Sequence, residues 1–210
     1  MFAFNRTADR YVLRPVAKGY EAVTPSLVRT GIRNFLGNLF YPTVLVNDLL
    51  QLKFREFAQD FSRLVLNTGF GLGGFIDVAT PGGLPERDED FGQTLGHWGV
   101  GPGWYLMLPF LGPSSNRDLV GRVPDYWTNP LVYVDEDHVG WTVGALDAVE
   151  ARAGLLGLDK VLEQQLDPYV FVRTGYLEHR QNLVYDGNPP KEDFDFEEEF
   201  ADEPDPPADD

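Results

Sequence analysis

Three histidines, His97, His138 and His179, are scattered along the chain with no H-x-x-x-H or H-x-E spacing, so no helix face offers a metal pair. His97 stands beside Trp98, where a general base could sit, but no nucleophile with a recognisable signature accompanies it. A hydrogen-bonded structural histidine is the better reading. Cysteine is absent, which removes disulfides and thiolate metal sites without placing the protein in any compartment. The acidic run Glu86-Arg-Asp88-Glu89-Asp90 lacks calcium-loop spacing and reads as the acid-rich first turn of a helix ending near His97. Gly69-Phe-Gly71-Leu-Gly-Gly74 satisfies the letters of G-x-G-x-x-G, yet that motif binds a pyrophosphate only between a strand and a helix N-terminus. Here an amphipathic helix precedes it and Pro81-Gly82-Gly83 cuts off any helix after it, so a glycine-rich turn between packed helices is expected. No cofactor, no metal and no enzyme are indicated.

Helical patterns dominate the elements around these residues. Thr24-Pro25 is an N-cap followed by proline at the first helical position, opening a helix to about Asn38. Residues 42–51 read as a separate helix, again with proline at the start. From about Lys53, the residues Phe54, Phe57, Ala58, Phe61, Leu64 and Val65 form a stripe, with Arg55, Glu56, Gln59, Asp60 and Arg63 opposite. Such a stripe is ordinary core in most proteins, and equally fits a helix lying in a membrane interface. Further helices are expected over 138–165 and from Pro168 to about Leu183, while 5–22 looks helical with an interruption at Arg14-Pro15. Residues 69–121 hold 13 of the 22 glycines and must be turn-rich, with short helices near 88–97 and 114–122. The apolar run Trp104-Tyr-Leu-Met-Leu-Pro-Phe-Leu111 is a hairpin arm or a buried insert. No convincing sheet is visible.

The formal net charge of −16 is unevenly spread: residues 1–63 balance at +4, residues 64–190 at −10 and residues 191–210 at −10. A basic, aromatic first third suggests that one side meets an anionic surface. The positive charges are too sparse, and too free of motif, for nucleic acid. No run of 18 apolar residues could span a bilayer. The division expected is one helical domain, 1–187, followed by a disordered acidic tail, 188–210.

Several stretches together resemble the MlaA (VacJ) family of outer-membrane lipoproteins. They are Tyr11-Val-Leu-Arg-Pro-Val-Ala17, Asn34-Phe-Leu-Gly-Asn-Leu39 with Val46-Asn47, and Leu66-Asn-Thr-Gly-Phe-Gly-Leu-Gly-Gly-Phe-Ile-Asp-Val-Ala79. Asp90-Phe-Gly-Gln-Thr-Leu-Gly-His-Trp-Gly-Val-Gly101, Leu108-Pro-Phe-Leu-Gly-Pro113 with Arg117-Asp118, and Asp167-Pro-Tyr-Val-Phe-Val-Arg173 continue in the family's order. The resemblance implies a mostly α protein, a ring of amphipathic helices with a Gly/Pro-rich central hairpin region, embedded in one membrane leaflet. It also implies a channel that removes mislocalised phospholipid from the outer leaflet, with a trimeric outer-membrane porin and a soluble periplasmic lipid carrier as partners. On that reading Phe54, Phe57, Phe61 and Arg55 meet the membrane interface, and Gly99, Gly101, Gly103, Tyr105 and Leu106 belong to a lipid channel or its gate. The family begins with an export signal and a lipidated cysteine, whereas this chain starts within the motif holding Phe2-Ala-Phe-Asn5, so outer-membrane localisation on the periplasmic side rests on resemblance alone. The alternative is a soluble helical scaffold or interaction protein without lipid transport.

Overall fold

A computed structural model describes residues 1–190. The acidic stretch 191–210, most of the expected tail, lies outside the described residues. Nine α-helices occur among them: α1 (Phe2–Ala8), α2 (Arg14–Val23), α3 (Ser26–Leu50), α4 (Phe54–Gly69), α5 (Phe91–His97), α6 (Asn116–Thr128), α7 (Asp137–Gly154), α8 (Asp159–Glu163) and α9 (Pro168–Val184). One two-stranded antiparallel hairpin, β1 (Tyr105–Leu108) and β2 (Gly112–Ser115), completes the set. No described helix is long and apolar enough to cross a membrane.

Four expectations are corrected. The helices drawn over 24–38 and 42–51 are one 25-residue helix, α3, with Pro42 inside it. Proline removes one backbone bond and bends a helix, but packing of this helix against α4, α6 and α7 carries it through. Thr24 does not cap this helix; Pro25 occupies the N-cap, with no side-chain hydrogen bond. The interruption expected at Arg14-Pro15 is instead a π-helical turn, Asp9–Leu13, just ahead of Pro15, so helical structure runs on from α1 into α2. The single helix drawn over 138–165 ends at Gly154 and resumes as a 3-10 turn, Leu156–Leu158, and α8. The run 104–111 is a hairpin arm: Tyr105 pairs with Ser115 and Leu108 with Gly112.

The helices pack in a closed circuit. α2 lies on α7, α7 on α3, α3 on α5 and α6, α5 on α9 and α9 on α8, and the turn before α8 returns to α2. Ion pairs seal that return: Arg14 of α2 reaches Asp159 and Glu163 of α8 at 2.8 Å each. The tightest crossing joins α5 and α6, where a Cβ on Gly121 would stand 2.5 Å from the Gly92 nitrogen, so only glycine lets the backbones meet.

Polarity inside this ring is inverted. Six hydrophobic side chains are buried among the described residues (Ala17, Leu36, Tyr41, Val44, Ala79 and Val184) against fifteen polar or charged ones. All four tryptophans are exposed, Trp104 at 80% and Trp141 at 82%. The helix α4 shows the inversion within one element. Its buried residues are Asp60, Arg63 and Asn67, while Phe54, Phe61 and Val65 are at least half exposed. A water-soluble ring would turn that helix the other way.

Candidate functional site: an arginine-lined cavity in an inverted ring

A hydrogen-bonded lattice of polar side chains replaces the usual apolar core. Asn67 accepts from the backbone nitrogens of Val78 and Ala79, and Arg63 donates to Thr80, to the Leu84 carbonyl and to Asp77, tying the glycine-rich turn back onto α4. The G-x-G-x-x-G segment is a turn that folds back on the end of α4, the Gly73 and Gly74 nitrogens donating to the Thr68 and Asn67 carbonyls, but the next helix begins only at Phe91 rather than packing directly on α4. Between α3 and α5, Thr94 donates to Asn47 at 2.8 Å, and Gln51 donates to Glu89 at 2.7 Å. Buried polar groups need partners of this kind, and a fully connected network also specifies one packing.

Asp48 departs from that rule. Its carboxyl is completely buried, and neither oxygen has a donor partner. Burial, followed by the charges of Asp60 and Glu89, pushes it up to about 7. Asp60 itself accepts from Tyr41 at 2.7 Å and from Arg87 at 3.1 Å.

Two large cavities meet at the Arg180–Asp90 ion pair. One, about 650 Å³, lies between α5, α6, α9 and the loop after α5. Its cations are Arg117, Arg173 and Arg180, and its apolar wall includes Val100, Leu177 and Val184. The other, about 720 Å³, is acidic, with Asp88, Asp90, Asp125 and Asp147 around Arg87. Partial desolvation raises the carboxyls of Asp88 and Asp147, both still open to solvent, and burial pushes Asp125 up to about 6 although it accepts from the Phe91 nitrogen and from Asn47.

The arginine cavity is positioned by α9 and by the start of α6. Asp167 caps α9 by accepting from Tyr169 and Val170, and Pro168 occupies the first turn. Ser115 caps α6 by accepting from Asp118, which fixes Arg117 and Asp118 at the cavity floor. Arg180 grips Asp118 at 2.9 and 3.0 Å, and Tyr176 donates to the same carboxylate. Burial would raise Asp118, but these bonds and the Arg117 and Arg180 charges hold it at about 2, while burial and Asp118 push the Tyr176 hydroxyl up to about 12.

The sequence-predicted residues are divided by the structure. Gly99 and Gly101 line the arginine cavity, with open space where a Cβ would point. Gly103, at φ +67°, sits outside it against Asn116. Tyr105 and Leu106 lie on β1, half-buried and off the cavity lining; Tyr105 meets Tyr169 and Tyr176 edge-on. The hairpin is tied to α1 by Asn5, whose amide donates to the Leu108 carbonyl at 2.7 Å and accepts from the Phe110 nitrogen at 2.9 Å. Phe54, Phe61 and Arg55 are exposed on α4 and Phe57 is half-buried, stacked on Phe61. His97, His138 and His179 are exposed, and no cluster able to hold a metal occurs among the described residues. Missed in the sequence were the three arginines as a group. The available signal was Arg173, Leu177, Arg180 and Val184 at i, i+4, i+7 and i+11, a stripe alternating cation and aliphatic.

A ring of helices with a polar interior, an apolar exterior and a cavity that sets three guanidiniums beside aliphatic side chains has the surface chemistry of a protein that meets lipid. Comparison with known proteins agrees. The family described as MlaA lipoprotein matches residues 1–183, and the chain belongs to that family. It is 40% identical over 193 residues to the intermembrane phospholipid transport system lipoprotein MlaA of Escherichia coli, covering 89% of this chain and 75% of that one. The protein of the same description in Haemophilus influenzae is 36% identical over 194 residues, covering 89% and 76%. A solved structure from work on the maintenance of bacterial outer membrane lipid asymmetry superposes with a TM-score of 0.76 at 36% identity, covering 87% of this chain and 96% of that chain.

Proposed function

We propose that this protein moves phospholipid at the outer membrane without changing any bond in it, clearing mislocalised lipid from the outer leaflet and so maintaining lipid asymmetry. The observation that carries the reading is the inversion of polarity: a ring apolar outside and polar within sits in hydrocarbon while offering a wet path to a headgroup. The absence of a spanning helix among the described residues fits a ring lying in a single leaflet, on the periplasmic side, with Phe54, Phe57, Phe61 and Arg55 at the interface. The arginine cavity is the passage, and the loop Gly99–Gly103 with the hairpin carrying Tyr105 and Leu106 is its gate. A trimeric porin supplies a neighbour in the membrane, and a soluble periplasmic carrier receives the lipid.

The soluble-scaffold alternative leaves forty large hydrophobic side chains of the described residues exposed to water, far beyond the few hundred Å² of apolar patch that soluble monomers tolerate. The test is transfer of a fluorescent phospholipid from vesicles carrying the reconstituted chain to empty acceptor vesicles. Transfer well above protein-free vesicles supports the proposal. A chain that stays monodisperse in water and leaves lipid where it was would return it to the scaffold class.

A further inference from the structure

We propose that the arginine cavity recognises the phosphodiester of a glycerophospholipid through Arg173 at its rim and Arg117 at its floor, and is indifferent to the alcohol beyond the phosphate. The proposal rests on the transport reading above and adds what part of the lipid is read. Three cations line the cavity against two anions, Asp118 and Glu178. Arg180 is consumed by Asp90 and Asp118, both of which it holds at 2.6–3.0 Å. Arg117 has only Asp118, shared with Arg180 and Tyr176. Arg173 has no acidic partner among the described residues; its guanidinium lies 6.0 Å over the Tyr105 ring, which orients it without neutralising it. Counting Asp90, carboxylates and guanidiniums are equal in number here, but Arg173 has none of them within ion-pair distance among the described residues, and its donors are left for a ligand.

A guanidinium presents two parallel donors that match the unesterified oxygens of a phosphodiester, whichever alcohol is esterified beyond it. Arg173 and Arg180 are two turns apart on α9, about 10 Å along the axis, with Leu177 between them and Val184 one turn beyond. A phosphate moving from rim to floor thus stays near a cation, while Leu177, Val184 and Val100 receive the acyl chains. The acidic cavity beyond the Arg180–Asp90 pair repels the same phosphate, which keeps it on the α9 side.

The test measures binding to the full chain in dodecyl maltoside micelles. The probes are dioleoyl phosphatidylglycerol, dioleoyl phosphatidylethanolamine, dioleoylglycerol and inorganic phosphate. The two phospholipids should bind alike, dioleoylglycerol about tenfold more weakly, and millimolar inorganic phosphate should not displace them. Arg173→Gln, at an exposed position, should lower affinity for both phospholipids about tenfold and leave dioleoylglycerol binding and helical content unchanged, with Arg173→Lys recovering part of the loss. Equal binding of dioleoylglycerol, or undiminished phospholipid binding by Arg173→Gln, overturns the proposal. Displacement by inorganic phosphate reassigns the cavity to free anions. A wild-type chain that binds none of the lipids sinks the transport reading instead.

Discussion

Arg180 and Asp90 face each other across the wall between the two cavities, the guanidinium donating to the carboxylate at 2.6 and 2.8 Å. Arg180 lines the basic chamber and Asp90 the acidic one. Asp90 is also the N-cap of α5, accepting from Gln93, so one ion pair holds α9 against the start of α5 and divides the interior.

Removing that cation should be costly. Arg180→Met leaves the buried Asp118 and the half-buried Asp90 without their shared partner, and a loss of about 3 kcal/mol is expected. Thermal unfolding in detergent, read by circular dichroism, checks it. Arg29→Met, which breaks a more exposed pair with Glu21, should cost less than about 1 kcal/mol by the same measurement.

The fate of Asp48 is readable from pH. The folded chain keeps its proton up to about 7, whereas an unfolded carboxyl releases it near ~4. The folded state binds the extra proton in that window, so this contribution to stability falls as pH rises from about 4 to 7 and is fully lost above. Asp48→Asn should therefore melt several degrees higher than wild type at pH 8, with the advantage shrinking to nothing near pH 4. A difference that does not change with pH would mean that Asp48 carries a charge throughout.

Two glycines separate packing from movement. Gly121→Ala drives a Cβ into the Gly92 backbone and should cost about 1–3 kcal/mol and lower abundance. Gly101→Ala meets open space at a φ outside the left-handed region, so its stability should change by less than about 0.5 kcal/mol. Slower lipid transfer at normal abundance in Gly101→Ala would then signal gating. Gly103→Pro cannot serve, because φ at that position is +67°.

The outer face of α4 supplies the membrane test. Phe61→Asp replaces a half-exposed ring with a charge and should weaken liposome association at least tenfold while helical content holds. Unchanged association together with loss of helix would make Phe61 a core residue.

Helix positions were legible wherever apolar residues recur at helical spacing, as in α4 and α9, because periodicity survives whichever face is turned inward. The direction was not. The Phe54–Val65 stripe looks the same whether hydrocarbon or protein covers it, and only the burial of Asp60, Arg63 and Asn67 decides that the other face is inside. Pro42 misled for a local reason: a proline reads as a helix start, and nothing nearby in sequence reveals the neighbours that carry α3 through it. The arginine cavity draws on α5, α6 and α9, and such a gathering over more than 80 residues has no local signature.

The inverted interior also sets where this chain can vary. In most proteins the aliphatic positions are the constrained ones and polar positions drift. Here an exchange of Leu, Val or Phe on the outer wall leaves hydrocarbon against hydrocarbon, so saturation mutagenesis should find those sites permissive to any apolar residue and closed only to charge. Asn47, Gln51, Thr94 and Asn67 each hold two or more specific bonds, and even a near-isosteric replacement strands a partner. Across relatives, substitution should therefore collect on the greasy residues and spare the amides and hydroxyls, the reverse of the pattern by which a buried core is ordinarily recognised.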